Sequence, residues 1–271
     1  MRILDNVSAL RVYTNLTRND RSILRSTTRL SSGFRINNAG DDPAGFSIAT
    51  GLRWQVSSKQ MADRNTLDAT SLLETADAAL QDIQNMVHRI RELAVAAAND
   101  TNSPENRQMT QNEVNSLLEE IDAITGRIEF NNIRLLNGEA QDLKIQIGGR
   151  EGMRIALNIP SFKTTELGLY GASVSPSHTD AQDVINRADA ALTQISSQRS
   201  FIGANINRME YTSSSLQAAS EATSRSLSRI VDTDMAWEMM ELSTANILSQ
   251  AGMAIMSQVN QRPQQLLQLL G

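Results

Sequence analysis

Apolar residues recur at alternating steps of three and four along most of the chain. Leu73, Ala76, Leu80, Ile83, Val87, Ile90, Ala94 and Ala97 keep that rhythm without a fault. This is a heptad seam of about three and a half heptads, and it predicts a helix packed lengthwise against another. Asn99 and Asp100 end it. Ser103, Pro104 and Glu105 then read as the cap, first residue and early carboxylate of a second helix. Its seam is Val114, Leu117, Ile121, Ile124 and Ile128. The short connection predicts that the two helices fold back antiparallel. A third seam runs from Val184 through Ala188, Ala191, Ile195, Gln198, Ile202, Asn205, Met209, Thr212 and Leu216 to Ala219. Gln198, Asn205 and Thr212 are polar seam positions, which either fix register or are tolerated. Leu227 to Leu270 is one more helix candidate.

Two stretches depart from this period. "TGRIEFNNIRLLNG" at 125–138 reads as loop. From Asp142 to Pro160, "LKIQIGG" and "GMRIALNI" alternate apolar and polar residues about Gly148 and Gly149, which predicts a β-hairpin at about 141–160. A loop rich in Gly, Ser and Pro follows to about Thr179. Near the start, "LSSGFRINNAGDDPAGFSIAT" at 30–50 interrupts helix-friendly sequence with Asn37, Asn38, Gly40 and Pro43. The fold class expected is mainly α: a long coiled-coil helical bundle with one small β-hairpin region, its N- and C-terminal helices paired.

Composition sharpens this picture. Only 4% of the 271 residues are aromatic, with 14 Gly and 5 Pro, which suits thin helical packing better than a thick core. Residues 1–40 carry seven Arg against Asp5 and Asp20. Residues 227–271 carry Arg229 and Arg262 against Asp232, Asp234, Glu238 and Glu241. Opposite signs favour pairing of the two ends, modestly, because exposed pairs contribute little each. The absence of cysteine excludes disulfides, thiolate metal sites and a thiol nucleophile. A net charge of −5 gives no reason to expect a nucleic-acid partner. No apolar run reaches the length of a membrane span or a signal-peptide core, so neither a membrane association nor a cleaved signal is expected.

Candidate chemistry is sparse. His88 and His178 lie far apart without a zinc-site spacing, and His88 sits mid-helix beside Arg89 and Arg91. Asp41 and Asp42 are adjacent, whereas an acid/base pair must face one bond across a pocket. Before Pro43 they instead suit the free N–H groups of a helix start. Five of the eleven methionines, Met235, Met239, Met240, Met253 and Met256, fall in the last segment, where packing explains them better than a cofactor. The Asn6, Asn15 and Asn99 glycan-acceptor patterns read as chance without a leader to a glycosylating lumen. No enzyme, metal or cofactor is expected. Helices with a narrow apolar stripe are poorly stable alone. Copies that cover such stripes head to tail without closure form a filament.

The stretch at 30–50 resembles the N-terminal signature of bacterial flagellins. "IRELAVAAANDTN" at 90–102, "EFNNIRLLNG" at 129–138 and "NILSQAGMAIMSQVNQRPQQLLQLLG" at 246–271 do too. The resemblance covers about residues 1–140 and 180–271. It implies paired terminal helices over 1–45 and 227–271 that line an inner tube, with Asp41, Asp42 and Pro43 in the spoke. It implies an outer-tube bundle over 46–226, its helices at about 55–99, 104–128 and 180–222, and no separate outer variable domain. The implied function is a subunit that polymerises into the flagellar filament for motility. The alternatives are a hook–filament junction protein and an intracellular coiled-coil adaptor. The implied location is extracellular, reached unfolded through the flagellar type III apparatus without a cleaved signal. The implied partners are further copies of the chain, an export chaperone, and the filament cap and hook-junction proteins. A vertebrate innate immune receptor for flagellin is a further implied partner, contacted through Arg89, Leu93 and Glu113. His88 and Leu117 depart there from the pattern of potent activators, and the same residues also suit contact with the next subunit.

Overall fold

The heptad seams produce helices where their period holds. The computed structural model describes residues 6–175 and 177–270, with side chains as far as Gln261. Arg2, Asp5 and Arg262, counted in the charge of the two ends, lie outside the described residues or side chains. In chain order the elements are α1 (Val7–Ser32), α2 (Pro43–Ala97), α3 (Pro104–Arg127), β1 (Glu129–Phe130), β2 (Ile133–Arg134), β3 (Leu143–Gln146), β4 (Arg154–Leu157), α4 (His178–Val231) and α5 (Met235–Leu270). The fold is mainly α, as the periodicity predicts. The chain divides into two compact units, Met1–Val56 with Ala222–Gly271, and Ser57–Glu221.

In the second unit, α2 and α4 run antiparallel. Ser213 Oγ donates to Asp63 Oδ1 at 2.5 Å, Arg199 Nε to Asp77 Oδ1 at 2.9 Å, and Arg91 Nε to Asp189 Oδ1 at 2.6 Å. One partner's number rises as the other's falls. Between the helices, Leu73, Leu80, Ile83, Val87 and Ile90 from α2 and Ala188, Ala191, Ile195, Ile202 and Met209 from α4 are fully buried. The polar seam positions are satisfied in two ways. Asn205 and Thr212 donate to their own helix, at Phe201 O and Arg208 O, while Gln198 Nε2 reaches Asn158 O at 3.2 Å, just past β4.

Helix α3 folds back on α2 as expected. Ser103 caps it by accepting from Asn106 N at 3.3 Å, with Pro104 in its first turn. Val114 and Ile121 join the core. Of the segment read as loop at 125–138, residues 125–127 complete α3 and residues 129–134 form a minimal hairpin, β1–β2. Its turn residues Asn131 and Asn132 have φ of 49° and 63°, the left-handed region that Asn tolerates and tight hairpin turns require. Leu135 and Leu136 then enter the core, both fully buried. The expected second hairpin is β3–β4, with Leu143 opposite Leu157 and Gln146 opposite Arg154. Its tip lies against α2. Asn65 Nδ2 donates to Gln146 O at 3.1 Å, and a Cβ at Gly149 would collide with the Ser58 side chain. Glycine is what allows that approach.

The expected loop before Thr179 is tightly packed over its course from 160 to 175. Phe162, Leu167, Leu169, Ala172 and Val174 are buried. Two α3 side chains pin it. Asp122 accepts from Thr164 N at 2.9 Å and from Thr164 Oγ1 at 2.7 Å; Gln111 accepts from Val174 N at 2.6 Å and donates to Ala172 O at 3.1 Å.

In the first unit α1 pairs antiparallel with α5. Asn6 Nδ2 donates to Val259 O at 3.3 Å near one end, and Arg29 lies 3.6 Å from Glu238 near the other. Gly33 ends α1 with φ +74°, its N–H bonded to Arg29 O at 2.8 Å. Beyond it, Arg35 N donates to Val231 O at 2.6 Å and Thr233 N to Gly33 O at 3.0 Å. The final stretch from Leu227, read as one helix, divides at residues 232–234. Asp234 Oδ1 accepts from Ala236 N and Trp237 N and starts α5 as its cap.

Candidate functional site

The joint between α1 and α2 is a self-bonded turn. Asp42 is the cap of α2: its Oδ1 accepts from Gly45 N at 3.0 Å, and Pro43 follows as the first helical residue. Asp41 serves the loop instead. Its Oδ2 accepts from Asn37 N at 3.1 Å and Asn38 N at 3.0 Å. The bonds from the Asn38 and then the Asn37 backbone, with Arg29 and Arg25 nearby, hold its carboxyl below the ordinary 3.8. Ile36 and Ala49 are buried beneath, at 4% and 2% exposure. The two carboxylates thus have different backbone partners within one turn, and neither is arranged for acid/base catalysis. Asp42→Ala is expected to cost about 1 kcal/mol, and Asp42→Ser to recover most of it, measured as urea midpoints. Equal loss in both variants would show that capping is not what Asp42 contributes.

The terminal pair carries many exposed apolar residues. Ala9, Val12, Leu16, Asn19, Ile23, Ser26 and Leu30 form the covered stripe of α1. On α5 the covered stripe is Glu238, Leu242, Ala245, Ser249, Gly252, Met256 and Val259. A Cβ at Gly252 would stand 3.4 Å from Leu16 Cδ1, so small residues here let the helices close. Glu238 is buried to 3% exposure, and its Oε1 has no partner among the described residues. Nothing in the local pattern around Glu238 signals that burial. Outside the stripe, Trp237, Met240, Ile247, Leu248, Met253 and Ile255 remain exposed. Helix α5 therefore carries exposed apolar residues well outside the one stripe that α1 covers, with Ser243, Asn246, Gln250 and Ser257 also exposed.

On the second unit, Arg89 and Glu113 meet across the α2–α3 hairpin. Arg89 Nε donates to Glu113 Oε1 at 2.9 Å, and Nη1 lies 3.3 Å from Glu92 Oε2. These bonds, Glu113 first, hold the guanidinium more firmly protonated than usual. Both partners are about half exposed, at 51% and 46% of their side chains. Leu93, one turn further along α2, packs into the core, with 8% exposure. Of the three residues named from the sequence, the structure pairs two at the surface and packs the third beneath them. His178 Nδ1 bonds Ala98 O at 2.5 Å, tying the start of α4 to the end of α2, and His88 is exposed. Among the described residues, no group of three or more His, Asp or Glu could hold a metal ion, and no helix is long and apolar enough to cross a membrane.

Comparison with known proteins bears on both surfaces. The bacterial flagellin N-terminal helical region matches residues 3–141, and the C-terminal helical region matches residues 185–270. The chain is 38% identical to a flagellin of Halalkalibacterium halodurans and 37% identical to one of Bacillus subtilis, each alignment covering 100% of both chains. A flagellar filament core protein of Brachyspira hyodysenteriae is 34% identical over the same full extent. Among solved structures, the crystal structure of Bacillus cereus flagellin is 31% identical with a TM-score of 0.52, covering 56% of this chain and 88% of its own. A putative flagellar hook-associated protein from Vibrio parahaemolyticus has a TM-score of 0.61 over 71% of this chain and 100% of its own. At 13% identity it shares the fold alone.

Proposed function

The chain belongs to the bacterial flagellin family, and on that footing we propose that the α1–α5 pair is the surface through which it polymerises. Its function is that of the family: a structural subunit that polymerises with its own copies into the extracellular flagellar filament. The hook–filament junction and adaptor alternatives give way to it, because the relatives matched along the whole chain are flagellins and filament core proteins.

The observation that carries the proposal is α5. Trp237, Met240, Ile247, Leu248, Met253 and Ile255 stay exposed on it, more apolar surface than a free helix carries without a partner, and α1 covers just one stripe of it. Further copies supply the remaining cover, and copies stacked without closure give an open polymer. In this reading residues 1–45 and 227–271, with the Asp41–Asp42–Pro43 spoke, build the inner tube, and residues 46–226 build the outer one. No separate outer domain is added. The same exposed α5 suits an export chaperone that masks it before assembly. Passage through a type III apparatus without a cleaved signal, and contacts with cap and hook-junction proteins at the filament's ends, belong to the same proposal.

Seeded elongation tests it. Purified subunit mixed with short filament fragments and salt should give long uniform tubes with a central channel by electron microscopy. Discrete closed particles, or seeds that never lengthen across salt conditions, would overturn it.

The Arg89–Glu113 pair supports a second role. A half-exposed Arg beside a carboxylate, with Leu93 packed beneath, suits contact with a vertebrate innate receptor for flagellin. Arg89→Ala is expected to weaken the receptor response about tenfold and leave elongation unchanged. Lost elongation with an unchanged response would assign the pair to the next subunit instead.

A further inference from the structure

Met235, Met239, Met240 and Met253 stand on α5 with 49%, 52%, 58% and 55% of their surface exposed. At helical spacing, Met235, Met239 and Met253 flank one side of the stripe that faces α1, and Met240 lies opposite it beside Ile247. No charged residue occurs from Leu242 to Gln261. Met253 lies within that stretch, and Met235, Met239 and Met240 lie just before it beside the exposed Trp237; all four thioethers are open to solvent in the free subunit, on the helix that assembly covers. By contrast Met209, in the core of the second unit, is fully buried.

We propose that these four methionines are oxidation sites that control assembly, peroxide-modified subunits being excluded from the filament. The inference rests on the assembly role of α5 proposed above. In the reaction the sulfur lone pair attacks one oxygen of hydrogen peroxide. An S–O bond forms, the O–O bond breaks, and the departing hydroxide takes the proton from the sulfur-bound oxygen and leaves as water. Sulfur is oxidised by two electrons and peroxide is reduced by two. The product replaces an apolar, adaptable side chain with a polar one that accepts hydrogen bonds. Burial of that group against a neighbour with no donor opposite is unfavourable. The change is reversible, because methionine sulfoxide reductases restore the thioether. Burial in the filament shelters the same sulfurs, so sensitivity belongs to the free subunit.

The test uses the full chain. Monomer is treated with hydrogen peroxide, sulfoxides are located by peptide mass mapping, and elongation of untreated seeds is measured. Oxidised monomer should elongate seeds at least about tenfold more slowly. A variant with all four residues changed to Leu keeps the apolar volume and should elongate alike before and after treatment. It retains Met61, Met109 and Met153, exposed by 47%, 70% and 48%, as oxidisable controls outside α5. Peroxide applied to finished filaments should leave the four α5 residues unmodified. Undiminished elongation by a monomer carrying all four sulfoxides would overturn the proposal, as would equal loss in the Leu variant. If the untreated Leu variant does not elongate, reductase treatment of oxidised wild type decides: regained elongation supports the proposal, and reduction without recovery ends it. Untreated wild-type monomer that fails to elongate is a separate result, against the assembly reading itself.

Discussion

Removal of residues 235–271 abolishes elongation of filament seeds and leaves the second unit folded. That is the expected result, and it follows from where the cores lie. Ser57–Glu221 carries its own buried set, with Leu73, Leu80, Ile90, Ile121, Leu135 and Ile195 all fully covered. None of these residues depends on α5. The covered stripe of α1, by contrast, is closed by α5. Without its partner, α1 is a lone helix with only a narrow apolar stripe, and such helices are marginal in water. Deletion of residues 1–32 should act the same way, by uncovering the opposite stripe on α5. Circular dichroism should show a helical monomer in both cases, and sedimentation should show no polymer. Elongation by either truncated chain would mean that assembly does not run through the paired ends.

The second large effect is on stability. Leu80→Ala should destabilise the second unit by about 3 kcal/mol, within the range that large-to-small changes in closed cores produce. Leu80 is fully buried on α2, in the same core as Ile83, Val87 and Ile195. The removed atoms lose their contacts, and two long helices held by Asp77–Arg199 and Arg91–Asp189 cannot easily collapse into the gap. Val95 on the same helix is 50% exposed, and Val95→Ala should change stability by less than about 0.5 kcal/mol. Urea unfolding followed by circular dichroism measures both. Near-equal effects would mean that the α2 seam is not the closed core described here.

The seams were legible because their cause is local and repeated. Every residue of the α2 seam from Leu73 to Ala97 is buried. The Asp42–Pro43 start was legible for the same reason, since a cap is defined by its next three residues. What escaped depends on partners distant in sequence. The β1–β2 strands are two residues each, too short for any period, and only the paired Asn131 and Asn132 could have signalled their turn. The division at 232–234 has no Gly or Pro, and the useful sign was an Asp that can cap. The 160–175 segment reads as loop because its composition is that of one, yet Gln111 and Asp122 order it from α3. Leu93 and Glu238 show the same limit at the level of single side chains. One was named as a contact and packs inward; the other is a carboxylate that nothing in its neighbourhood marks as buried.

The pairing of α1 with α5 also has a consequence for timing. Asn6 bonds Val259 across 253 residues of chain, and Arg35 meets Ile230 and Val231 across nearly two hundred. A chain made from its N-terminus cannot close these contacts until almost all of it exists. The α2–α3 hairpin, by contrast, needs only the two dozen residues between Arg89 and Glu113. Local contacts form quickly, and distant ones wait on a long loop closure. The helical hairpin can therefore close early in folding, whereas the polymer-forming ends stay unjoined until nearly the whole chain is available. Topology alone delays the sticky surface, and with it any premature growth beside the site of manufacture.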